Sequence, residues 1–285
     1  MDTAEKLGEF ETRPGVTYAT HDSVALAGDL YLPKGAGPFP ALVGVHGGGW
    51  VQGVRGQFQH WGKYLAARGV ALFAISYRLA KPAQKTFPHA VQDVLAGIQF
   101  VRGGAKDLNI APDRIGVFGH SAGGNLGALA ALAGPRFGNG YPQDQHAKVS
   151  TDVKVFAGVY GVYDVAEMWG KYNIQSPKQN NIEWFTGASL ADNRQVYFDA
   201  SPISYAVSAN NKVAVHLSVG TEDDLVDRRA HTDAFVLALK QAGFFVRTTI
   251  LHGAPHYWGS DPIDEPNSFS GFLAPRLMRF LAEKL

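Results

Sequence analysis

Apolar residues in this chain gather in short, nearly continuous runs at 41–46, 70–76, 115–118, 153–159, 213–219 and 244–251. Runs of that length, flanked by glycine and polar residues, predict buried strands. The segments between them, 58–68, 88–102, 122–132 and 228–242, predict helices, with Pro88 in the first turn of its helix and a closing helix at 269–285. Residues 16–20 and 24–32 alternate in polarity around His21-Asp22-Ser23, the pattern of an antiparallel hairpin. Residues 1–15 read as a mobile lead-in and 34–38 as a loop. Strands that are apolar throughout, alternating with helices, require a mostly parallel sheet covered on both faces.

One segment breaks this rhythm. Residues 161–210 lie between two expected sheet strands, yet they are long, polar and aromatic, with Tyr163, Trp169, Tyr172, Trp184, Phe185, Tyr197 and Phe198. An ordinary strand-to-helix connection is far shorter, and long insertions tend to sit over the binding face. A small inserted cap on a single domain is expected. The alternative is a peripheral helix pair whose aromatics only anchor it.

Composition narrows the class. With 26 Lys+Arg against 25 Asp+Glu the formal net charge is +1, which argues against nucleic-acid or anionic-membrane partners. The chain has no cysteine, so disulfides, thiolate catalysis and cysteine-based zinc sites are excluded. No apolar run is long enough to span a membrane, and residues 1–12 are polar and charged rather than signal-like, so a cytoplasmic location is expected. A homo-oligomer is compatible with all of this.

The chemistry centres on Gly119-His120-Ser121-Ala122-Gly123, between an apolar strand and an apolar helix. Strand, G-x-S-x-G turn and helix form a nucleophile elbow. The turn projects the serine hydroxyl above the sheet edge in a strained conformation, and glycines two before and two after relieve the crowding. The helix from Ala122 points its first amides at the serine, where negative charge would develop.

Ser121 needs a base and a group to orient that base. Of ten histidines, His252 and His256 follow the last strand, at the sheet end where ligands gather. His256 has the longer loop and is preferred. His46, His120 and His231 read as structural or surface residues, and His120, beside the serine, is also carried as a substrate contact. The acid is expected after the preceding strand, where Asp223 is preferred, Asp224 is the reserve and Asp227 reads as a helix cap. His46-Gly47-Gly48-Gly49-Trp50 follows a strand, and its bare backbone suits an oxyanion hole; the lysine of a phosphate-binding loop is missing.

Taken together, these motifs resemble the α/β-hydrolase superfamily in its hormone-sensitive-lipase-like esterase branch. The likeness rests on His46-Gly-Gly-Gly-Trp50, Ser76-Tyr-Arg-Leu-Ala80, Phe87-Pro-His-Ala-Val-Gln-Asp93, the elbow, Gly220-x-x-Asp223 and Gly253-x-x-His256, over residues 40–285. The resemblance implies an α/β-hydrolase fold, with a mostly parallel eight-stranded sheet, helices on both faces and a first hairpin that adds antiparallel strands. It implies oxyanion donors at the amides of Gly48, Gly49 and Ala122. His120 stands where many lipase-like members have aspartate, Lys81 stands where proline is common, and the long N-terminal cap helices have no room. These departures favour the compact group similar to feruloyl and acetyl esterases and arylformamidases.

The expected function is hydrolysis of short-chain or aryl-containing carboxylic esters through an acyl-enzyme on Ser121, with no metal or cofactor. The alternatives are an arylformamidase-like amide hydrolase and a non-catalytic small-molecule receptor. Trp50, Trp184, Phe185 and Trp258 are the expected pocket aromatics. Treatment with an organophosphate, followed by peptide mass spectrometry, is expected to show one adduct, on Ser121; an adduct on another serine overturns the assignment.

Overall fold

A computed structural model describes residues 7–21, 23–138, 146–175 and 180–285. Residues 1–6 of the expected lead-in, Asp22 of the hairpin turn and 176–179 of the insertion lie outside the described residues. Among the described residues, eight strands form one sheet in the order β1-β2-β4-β3-β5-β6-β7-β8. They are β1 (Phe10–His21), β2 (Val24–Pro33), β3 (Phe39–Val45), β4 (Ala71–Ile75), β5 (Ile110–His120), β6 (Val155–Val159), β7 (Ala214–Gly220) and β8 (Val246–Leu251). The β1–β2 and β2–β4 pairs are antiparallel, and the remaining pairs are parallel.

The helices are α1 (Gln59–Ala66), α2 (His89–Gly103), α3 (Ala122–Ala133), α4 (Val165–Gln175), α5 (Asn181–Thr186), α6 (Arg194–Ala200), α7 (Ala234–Gln241) and α8 (Phe269–Lys284). Successive strand residues point to opposite faces, which splits the core in two. Val43, Val45, Ile115 and Val117 pack with α2, α3 and α7, whereas Leu42 and Phe118 pack with Trp61 and Leu65 of α1 and Leu273 and Leu277 of α8. The layering is that of an α/β-hydrolase fold. Among the described residues, no helix is long and apolar enough to cross a membrane.

Two sequence expectations change. The lead-in is shorter than expected, because β1 starts at Phe10 and pairs with Pro33. The register shifts between Arg13 and Val16, where Gly15 has φ 68° and donates its N–H to Asp29 Oδ1 at 2.8 Å. A bulge thus accommodates Pro14, which has no N–H to give. The helix expected over 228–242 opens with a π turn, Arg229–Asp233, ahead of α7.

The insertion folds as α4, α5 and α6, and its Met168, Ile182, Phe185, Tyr197 and Ala200 join the same core as α2 and α3. Two of the aromatics on these helices, Phe185 and Tyr197, therefore anchor it. Asn180 and Asn193 start α5 and α6 by accepting N–H bonds from Ile182 and Val196.

The ends of β3 and β5 approach too closely for side chains. A Cβ at Gly123 would lie 2.0 Å from the Val45 carbonyl oxygen, and one at Gly119 would lie 2.2 Å from that of Gly123. Gly123→Ala is therefore expected to destabilise the chain by about 3 kcal/mol or more, lowering Tm by at least roughly 5 °C. Gly170, inside α4 with nothing within 4 Å of a built Cβ, is the control: Gly170→Ala should raise stability by up to about 1 kcal/mol. Equal Tm values for the two variants by calorimetry contradict this account.

Candidate active site

Ser121 caps α3 with φ 52° and ψ −119°, a conformation unfavourable to any side chain. Its N–H donates to the Val159 carbonyl at 2.9 Å, which ties the turn to the end of β6. The strain raises Oγ above the sheet, where the residue is 7% exposed.

The loops after β7 and β8 are held together. Glu222 N–H donates to the Ala254 carbonyl at 3.0 Å, and Gly253 N–H donates to Thr221 Oγ1 at 2.9 Å. Gly220 lets the loops touch, since a Cβ there would lie 1.9 Å from the Ala254 oxygen. This clasp brings His256 between the other two expected residues. Its Nδ1 lies 2.8 Å from Asp223 Oδ2, and its Nε2 lies 3.0 Å from Ser121 Oγ. The Asp223 carboxylate can only accept, so Nδ1 carries the proton and Nε2 is left to accept from the Ser121 hydroxyl. Asp223 is fixed in turn by the N–H groups of Leu225 and Val226, at 3.1 and 2.8 Å from Oδ1.

The rival neighbours lie elsewhere. His252 is exposed at the strand end. The Asp224 side chain makes none of these bonds; its backbone carbonyl accepts from Lys171 Nζ. Asp227 accepts from Ala230 N–H at 2.8 Å, as a helix cap does. Burial holds His231 neutral, down to about 4, and Asp164 N–H donates to its Nδ1 at 3.3 Å, a structural role.

The glycine loop after β3 is shaped by positive φ at Gly48 (124°), Gly49 (58°) and Trp50 (64°). The Gly48 carbonyl turns inward to accept from Val51 and Gln52, and a Cβ on Gly48 would lie 2.1 Å from the Gln52 oxygen. Among the described residues, the N–H groups of Gly48, Gly49 and Ala122 donate to no protein acceptor. The loop is braced from behind. Tyr77 Oη donates to the His46 carbonyl at 3.0 Å, and its ring stacks on His46 at 4.3 Å. Burial lowers His46 to about 4. The Trp50 indole N–H donates to Asn125 Oδ1 at 3.2 Å. Fully buried, Asn125 spends its two amide hydrogens on the Val162 and Ala200 carbonyls, at 3.1 and 3.0 Å.

Two small cavities meet at Ser121. The inner one, about 60 Å³, runs beneath the insertion and is lined by Gly48, Gly49, Trp50, Ala122, Val162, Met168, Tyr172, Asn181, Leu225 and Tyr257 among others. The second, about 140 Å³, passes Gly47, Gln57, His120, Tyr160, Tyr257 and Ser260. A larger hollow of about 490 Å³ on the outer face of the insertion, from Asp164 to Ser204, holds none of the expected reacting groups. Among the described residues, no three His, Asp or Glu side chains are placed to hold a metal ion.

The expected pocket aromatics divide. Trp50 and His120 line the cavities. His120 stacks on Phe58 at 4.3 Å with both ring nitrogens unpartnered, and burial, then the nearby His46 and His256, lowers it to about 3. Phe185 is instead fully buried behind the glycine loop, stacked on Trp50 at 4.8 Å, and half-buried Trp184 is outside both linings. Trp258 is also misplaced by sequence reasoning. It is 2% exposed in the α1/α8 core against Tyr160, because φ 73° at Tyr257 reverses the chain and turns Trp258 inward. Tyr172, named among the aromatics of the insertion, lines the inner cavity, and Tyr257, Met168 and Asn181 are lining residues that the sequence did not single out. Of these three, only Tyr257 had a sequence signal, its place beside His256.

Comparison with known proteins follows the same line. The BD-FAE family model matches residues 28–236. Esterase LipQ of Mycobacterium tuberculosis is 33% identical over 209 residues, covering 72% of this chain and 46% of LipQ. Ethyl acetate hydrolase of Pseudomonas putida is 28% identical over 269 residues, covering 89% of this chain and 77% of that protein. The chain spans less than half the length of LipQ and of the probable carboxylic ester hydrolase LipM of the same organism, at 46% and 42%. The thermophilic esterase Est2 of Thermogutta terrifontis superposes with a TM-score of 0.75 at 24% identity, covering 97% of this chain and 92% of that one, a likeness of fold.

Burial of neutral histidines sets a pH dependence. His46, His216 and His231 are lowered to about 4 and His120 to about 3, in each case chiefly by burial. In the unfolded chain the same groups take up protons near pH 6.5. Between those limits the unfolded state binds more protons, so stability is fully present above about pH 6.5 and is lost as the pH falls toward 4. Urea unfolding at a series of pH values is expected to show this decline; a flat profile between pH 6.5 and 4.5 contradicts it.

Proposed function

The chain belongs to the BD-FAE family within the α/β-hydrolase superfamily, and from that premise we propose that it is a serine carboxylesterase acting on small esters. The observation that carries the reading is the bond series Asp223–His256–Ser121, at 2.8 and 3.0 Å, beside a cavity lined by Gly48, Gly49 and Ala122, whose amides donate to no protein acceptor among the described residues. The likeness to LipQ, an esterase, and to an ethyl acetate hydrolase supports the same class.

In this reading Ser121 Oγ attacks the ester carbonyl carbon while its proton passes to His256 Nε2. The carbonyl π electrons move onto oxygen, and the resulting anion accepts from the N–H groups of Gly48, Gly49 and Ala122. The carbonyl re-forms as the C–O bond to the alcohol breaks, and His256 returns the proton to the leaving oxygen. Water then attacks the acyl-Ser121 carbonyl, giving a proton to Nε2. The second tetrahedral species expels Ser121 Oγ, which takes that proton back, and the carboxylic acid departs. Asp223 keeps the imidazole in the required tautomer and stabilises its charged form. Residues 161–210 act as a cap: Val162, Met168, Tyr172 and Asn181 roof the inner cavity, and the two cavities that meet at Ser121, about 60 and 140 Å³, suit compact esters.

Ser121→Ala is expected to remove turnover, and Asp223→Asn to lower kcat by about 10⁴-fold, while Asp224→Asn stays near the parent. On p-nitrophenyl esters, acetyl to butyryl chains should exceed decanoyl by roughly tenfold or more in kcat/KM. Aryl formamides in the same panel test for amide cleavage. Turnover that survives Ser121→Ala sinks the proposal.

A further inference from the structure

Tyr257 stands apart from its neighbours. His256 and Trp258 are 5% and 2% exposed, whereas Tyr257 is 67% exposed. It is held at φ 73°, unfavourable for an aromatic residue and typical of strain kept at functional positions. Its ring meets the His256 ring edge-on, with centroids 4.6 Å apart at 85°. Tyr257 is also the one aromatic side chain common to the two cavities that meet at Ser121. Tyr172, on α4 of the insertion, lines the inner cavity with it, and the phenol of Tyr172 is pushed up by burial and, secondarily, by the nearness of Tyr257.

The position fixes which half of an ester would lie there. In the esterase reading, on which this inference rests, His256 Nε2 delivers a proton to the leaving oxygen. A ring packed on His256 is therefore next to the group bonded to that oxygen, the alcohol side. We propose that Tyr257 is a specificity-determining residue which, with Tyr172 opposite, clasps a planar aromatic ring on the alcohol side of the ester. Flat rings stack on such faces, whereas a puckered ring of the same size does not.

The test compares benzyl acetate with cyclohexylmethyl acetate, which share the acyl group and a primary alcohol and differ in ring planarity. One lost aromatic contact corresponds to roughly a two- to tenfold change. Tyr257→Ala should lower kcat/KM for benzyl acetate by about fivefold more than for cyclohexylmethyl acetate, mainly through KM, with Tyr172→Ala acting in the same direction. Tyr257→Phe should preserve the ratio. Equal losses on the two esters, or a Tyr257→Phe enzyme as impaired as Tyr257→Ala, overturn the clasp. A selective loss on methyl benzoate instead overturns its placement on the alcohol side. Calorimetric titration of benzyl acetate into Ser121→Ala, with and without Tyr257→Ala, reads the contact without turnover and should show weaker binding in the double variant; unchanged binding overturns the clasp. Absence of Ser121-dependent hydrolysis in the parent chain would sink the esterase reading alone, leaving the titration to decide the clasp.

Discussion

The site depends on backbone meeting backbone where β3 and β5 end. A Cβ at Gly119 or Gly123 would fall within about 2 Å of a carbonyl oxygen, so these positions exist only as bare chain. That closeness allows a turn tight enough to hold Ser121 at φ 52°, and it starts α3 with its first amide beside the hydroxyl. It also sets the glycine loop after β3 against the same serine: a Cβ on Gly47 would lie 3.1 Å from both the His120 oxygen and Ser121 Cβ. Ser121 and the glycine loop thus share one packing contact, and the sheet around it holds the serine in its strained conformation.

The polar groups behind this contact make it rigid. Tyr77 and His46 brace the glycine loop, and the Ala80 N–H donates to the Trp50 carbonyl at 2.9 Å. Arg78, next to Tyr77, places its guanidinium on Asp93, which is fully buried in α2 and also bonds His21 of β1. The Ser76–Ala80 stretch is therefore fixed from both sides, which suits the proposed oxyanion role of the glycine loop, because amides that must move before they stabilise charge lose much of their value.

Much of this was legible in the sequence for physical reasons. Parallel strands buried on both faces leave continuous apolar runs, so β3 to β7 could be read directly. Glycines forced by backbone contact mark the elbow and the loop after β3. Chain order at the sheet's carboxyl end pointed to Asp223 and His256, which the structure brings together with Ser121. What was not legible depended on single dihedrals or on packing at a distance. The reversal at Tyr257 moved the pocket aromatic one position back from Trp258, and no residue-type pattern encodes a positive φ at tyrosine. Phe185 was a candidate for its ring, yet that ring serves Trp50 from behind. Residues 1–15 read as a lead-in because the bulge between Arg13 and Val16 is set by the partner strand.

Asn125 links the glycine loop after β3 to a region that an engineer would regard as exchangeable. One amide accepts from Trp50 and donates to carbonyls at Val162 and Ala200, the latter at the end of α6 in the insertion. A replacement insertion could carry any side chains toward the substrate, but it would have to return a backbone carbonyl to the same spot. Without that carbonyl a buried N–H goes unsatisfied, at about 1–3 kcal/mol, and the indole supporting the glycine loop loses its anchor. Exchange of this insertion is thus constrained less by shape at its outer face than by one acceptor deep beneath it.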